Sequence, residues 1–95
     1  MRPLEQIASE IRRITTSVVT ASDRATLICT IDGTASGVPG AFADALDRAD
    51  RSGRSSEALH ELLVEYARGT TTPERGVPTA VLLHFSSGET IISTQ

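Results

Sequence analysis

The segment Ile31 to Phe42, IDGTASGVPGAF, sets glycines and hydroxyls between a strand-like run and the start of a helical one. A helix N-terminus presents free N–H groups and a partial positive charge. Gly33, Thr34, Ser36, Gly37 and Gly40 are therefore a candidate cradle for a phosphate or carboxylate, and so for a small anionic ligand. Glycines at 33, 37 and 40 match neither the dinucleotide nor the P-loop fingerprint, and the chain holds no Lys to grip a phosphate. The plainer reading is a connection whose glycines permit tight backbone geometry.

Metal and acid–base chemistry have few candidates. His60-Glu61 begins like H-E-x-x-H, but position 64 is Val, so the second ligand is missing. Glu57, Glu61 and Glu65 recur at four-residue intervals and read as the solvated stripe of a helix. His84, between Leu83 and Phe85, reads as a half-buried histidine bonded to a neighbour rather than a ligand or base. Cys29 lies between Ile28 and Thr30 in an apolar run; burial there would raise its pKa and leave it inert. Serines and threonines are plentiful, yet no G-x-S-x-G or comparable signature places a base beside one of them. The expectation is a protein without catalytic residues, metal or cofactor.

Composition narrows the partners. A net charge of −3 argues against a dedicated nucleic-acid binder. Arg48, Arg51 and Arg54 are interleaved with Asp44, Asp47 and Asp50, and three aromatic residues leave little for base stacking. No apolar window is long enough to span a membrane, and the N-terminus lacks the apolar stretch of a secretory signal. A single cysteine excludes an internal disulfide, and the cytoplasm is the expected compartment. All nine basic residues are Arg, while Asn and Trp are absent. That bias fits the codons of a high-GC bacterium or one of its phages.

The elements that must position these residues follow from periodicity. Leu4, Ile7, Ile11, Ile14 and Val18 are spaced 3, 4, 3, 4, which predicts a helix from Pro3 with a narrow apolar ridge. The β-branched run Thr15–Thr20 either prolongs that helix or begins a strand, and its composition favours the strand. With a turn at 21–24 and a strand over 25–31, residues 15–31 would then form a β-hairpin. Pro39 opens a second helix to about Arg51, with Phe42, Ala45, Leu46 and Ala49 on one face and the pairs Asp44–Arg48 and Asp47–Arg51 on the other. Ser55 or Ser56 caps a third helix that ends at Gly69 and presents Leu59, Leu62, Leu63 and Tyr66. Residues 70–78 form a polar loop.

A C-terminal hairpin turns at Ser87-Gly88, with Phe85 opposite Thr90, Leu83 opposite Ile92 and Val81 opposite Thr94. Its better core face holds Val81, Leu83, Phe85 and Ile92; the other face, with Leu82, His84, Ser86, Glu89, Ile91 and Ser93, is mixed. The expected fold is one α+β domain over 1–95: an N-terminal helix, a β-hairpin, an αα pair and a C-terminal hairpin. Both hairpins would join in one antiparallel sheet with helices on one face.

Association supplies the leading functional expectation. The ridge Leu4, Ile7, Ile11 and Ile14 fits the groove of another helix, within this chain or in a second one. Sheet edges could add to such a contact. The sequence therefore reads as a non-catalytic interaction module, a homodimer that regulates or adapts another protein. An anion or small-ligand binder using the loop 33–40 is the alternative.

Overall fold

The 3-4-3-4 ridge becomes helix α1 (Leu4–Thr15) in the computed structural model, which describes every residue except Met1, Ala21 and Thr34. The helix starts at Pro3, whose carbonyl accepts from the backbone N–H groups of Gln6 and Ile7. Strand β1 (Arg24–Asp32), the short strand β2 (Ala35–Gly37), helices α2 (Gly40–Ala49) and α3 (Ser55–Gly69), and strands β3 (Ala80–Ser86) and β4 (Glu89–Thr94) follow. The strands form one antiparallel sheet in the order β2-β1-β3-β4, an α+β architecture with its helices on one face.

The run after Ile14 is helix end, not strand. Thr15 Oγ1 donates to the Ile11 carbonyl at 3.0 Å, Thr16 Oγ1 to that of Arg12 at 2.6 Å, and Ser17 Oγ to that of Ile14 at 2.8 Å. Successive hydroxyls thus add a second donor to carbonyls of the last helical turn, two of which also accept a backbone N–H from Thr16 or Ser17. The N–H groups of Val18 and Val19 both reach the Thr15 carbonyl, continuing the winding. Hydroxyls bonding back onto the helix override β propensity here. The expected 15–31 hairpin is therefore replaced by one between β1 and β2, with Asp32 opposite Ala35.

The C-terminal hairpin has the register its alternation predicts, with Val81 opposite Thr94, Leu83 opposite Ile92 and Phe85 opposite Thr90. Ser87 (φ 55°) and Gly88 (φ 82°) both adopt positive φ. That is the signature of a type I′ turn, whose twist matches the flanking strands.

Alternation directs Leu27, Cys29 and Ile31, with Val81, Leu83, Phe85 and Ile92, toward the helices. There they join Ile7, Ile11, Leu46, Leu59, Leu62, Leu63 and Ala67 in one core. Helix α3 lies across β1, β2 and β3, while α1 packs chiefly on α3 and touches β4. Phe42 brings α2 onto the sheet through Phe85, with ring centroids 5.8 Å apart and planes tilted by 37°. Each fully buried Leu or Ile contributes about 1.5–3 kcal/mol.

The ridge expected to seat a second chain is spent inside the protomer. Ile7 and Ile11 are fully buried and Ile14 nearly so, leaving only Leu4 exposed. The apolar face of α3 supplies the surface against which α1 packs.

The start of α3 also departs from expectation. Neither Ser55 nor Ser56 caps it; Asp47 of α2 accepts the Ser56 N–H at 2.9 Å and its hydroxyl at 2.7 Å. Asp50 accepts the hydroxyls of Ser52 and Ser55. A carboxylate at a helix N-terminus gains more than an exposed ion pair does. Asp47 accordingly serves α3 rather than Arg51, and no Asp44–Arg48 bridge is found among the described residues; Arg2 is the cation that pairs, with Glu10 and Glu65.

Candidate interface: the uncovered face of the sheet

With all three helices on one side, every second residue of the strands projects from the other. The register sets these residues in rows: Arg24–Ser86–Glu89, Thr26–His84–Ile91, Ile28–Leu82–Ser93, and Thr30 beside Ala80, which is itself buried. Ile28 is 57% exposed and Ile91 52%, with Leu82 half-buried between their strands. Thr26 Oγ1 and His84 Nδ1 are hydrogen-bonded at 2.7 Å across β1 and β3. His84 is therefore bonded to a neighbour, as its position suggested, but it is exposed rather than half-buried. Large apolar side chains on an uncovered face with a polar surround are the usual composition of a contact surface.

A groove of about 600 Å³ lies on the helix side, between β2 and α3. It is lined by Ser36, His60, Glu61, Val64, Glu65 and Arg68, together with Ala35. Ser36 Oγ lies 2.8 Å from His60 Nδ1 and donates to the His60 carbonyl at 3.1 Å. Among the described residues no carboxylate is hydrogen-bonded to His60, so the pair lacks the third group that orients a catalytic base. Glu65 is held by Arg2, whose guanidinium keeps its carboxyl below the ordinary value. Glu57 and Glu61 stand exposed on the same helix.

The loop residues proposed as an anion cradle do not converge. Gly33 (φ 62°) lies at the β1–β2 turn, and Ser36 points inward to His60. Gly37 points outward, where a side chain would meet Thr30 Oγ1 at 2.6 Å, and Gly40 opens α2 facing empty space. Thr34 lies outside the described residues. The cause is β2 itself: pairing with β1 sends successive residues to opposite faces, which divides the cradle.

Cys29 is wholly buried under α3's side of the sheet, and desolvation pushes its thiol up to about 11. No group of three or more His, Cys, Asp or Glu among the described residues is placed to hold a metal ion. No helix among them is long and apolar enough to cross a membrane.

Sequence patterning already separated Leu82, His84 and Ile91 from the core face of the C-terminal hairpin. It missed Ile28, because Leu27-Ile28-Cys29 reads as a strand covered on both sides. Alternation with Thr26 and Thr30 was the signal that places Ile28 outward. No family model, curated protein or solved structure matches this chain.

Proposed function

We propose that this protein is a small non-catalytic interaction module, a homodimeric adaptor or regulator of another protein, that docks through the uncovered face of its sheet. One observation carries the reading: Ile28 and Ile91 are each more than half exposed on the uncovered face, while the helical ridge is largely buried in the core. Transferring such side chains from water stabilises a contact at about 25 cal/mol per Å² of apolar surface. A non-catalytic role suits a Ser36–His60 pair whose serine is already bonded to backbone, and a thiol held in its protonated form. A cytoplasmic setting suits a lone cysteine.

Sedimentation over a concentration series tests the reading. The wild-type chain is expected to associate, and Ile28→Glu with Ile91→Glu is expected to remain folded, with the thermal midpoint of wild type diluted until its dimer dissociates, and sediment as a monomer. A wild-type chain that stays monomeric at millimolar concentration, or a doubly substituted one that associates as before, would overturn it.

A further inference from the structure

We infer that the sheet face is covered by a second copy of this chain, related by a two-fold axis that passes over Ile28 at right angles to β1. Each protomer's Arg24 then stands opposite the partner's Asp32. The inference rests on the docking reading above and adds to it the orientation of the two copies and the residues that meet.

The pattern along β1 carries it. Arg24, Thr26, Ile28, Thr30 and Asp32 all project from the uncovered face, with the cation and the anion four residues on either side of Ile28. At roughly 3.3 Å per residue, each charge lies about 13 Å from the centre. The strand is thus apolar in the middle, hydroxylated on both flanks and oppositely charged at its ends. Neither end has an ion-pair partner among the described residues; Arg24 reaches only the Ser86 hydroxyl, at 3.5 Å.

A two-fold axis between two such faces, perpendicular to the strands, carries each position to its mirror distance from Ile28. Isologous contacts of this kind need a self-complementary patch, and strand β1 with Leu82 beside it supplies one. Ile28 meets the partner's Ile28, and Leu82, level with it in the register, meets the partner's Leu82. Thr26 meets the partner's Thr30, and Arg24 meets the partner's Asp32, twice per dimer. An axis along the strands over β3 is the competing geometry. It would set Arg24 against the partner's Glu89 but Ile28 against the partner's Ser93, giving up half of the central apolar match.

Charge exchange tests this against the competitor, with the full chain in sedimentation equilibrium at low ionic strength. Arg24→Asp and Asp32→Arg, made singly, each place like charges together at two points and should weaken the dimer by about tenfold or more. The double variant R24D/D32R should recover affinity to within about threefold of wild type, and the two single variants mixed should form a heterodimer in preference to either homodimer. If R24D is instead rescued by Glu89→Arg, the competing axis is correct and the proposed one is overturned. If Ile28→Glu abolishes the dimer while R24D/D32R shows no recovery, the docking face stands and the register falls. A monomeric wild type removes both.

Discussion

The two faces of the sheet are made from the same strands and from similar residues, yet they do different work. Leu83 and Val81 are fully buried, whereas Ile28, on the strand paired with theirs, is 57% exposed. Hydrophobicity alone does not separate them; the placement of α3 across one side does. Residues under the helices hold the fold together, and residues on the far side are left with apolar surface that the protomer does not use. Parity along a strand thus decides whether a substitution reads out as unfolding or as lost association.

Four substitutions would break or sharpen that contrast. Leu83→Ala should cost about 2–5 kcal/mol in urea unfolding, because it opens a cavity among α3, β1 and β3. Gly88→Ala should cost about 1 kcal/mol by the same measurement, since its φ of 82° is unfavourable for a residue with a side chain, and it should affect both faces of the hairpin equally.

Acid, at protein concentrations where the chain is monomeric, tests the helix layer. The Ser56 amide and hydroxyl, bonded to the Asp47 carboxylate, hold its carboxyl below the ordinary value; the Ser52 and Ser55 hydroxyls do the same for Asp50. A carboxyl with a lowered folded-state pKa contributes stability that is present above the unfolded value and lost as pH falls through the folded one. The thermal midpoint should therefore hold near neutrality and fall below the ordinary carboxylate range. Asp47→Asn should lower it at pH 7 and flatten part of that acid dependence. Ile28→Ser closes the series: its unfolding free energy should stay within about 0.5 kcal/mol of the dissociated wild-type protomer's, while its self-association is lost.

Much of this arrangement is legible in the residues. The C-terminal hairpin can be read to the register because one of its faces is mainly apolar and its turn is two residues long. Helix α3 is equally plain from Leu59, Leu62 and Leu63. Two of the failures share a physical cause, side chains acting on backbone that pattern does not show. Thr15, Thr16 and Ser17 bond back onto α1 and turn a strand-like composition into a helix end. Asp47 caps a helix nine residues downstream, which no local rule detects. Strand β2 is three residues long within a glycine-rich stretch, too short for periodicity to register. The candidate interface was half visible: parity identifies outward residues, but only the position of the helices shows which side stays bare.

Cys29 sits on the strand that both layers share, between outward Ile28 and Thr30 and beneath the helices. A reagent such as a maleimide can reach its sulfur only when β1 parts from that cover, so the rate of labelling clocks the opening of the sheet. Because β1 would also be the central strand of the proposed contact, occupancy of its far side should slow that clock. The protein thus carries its own chemical stopwatch, wound from within and stopped from outside.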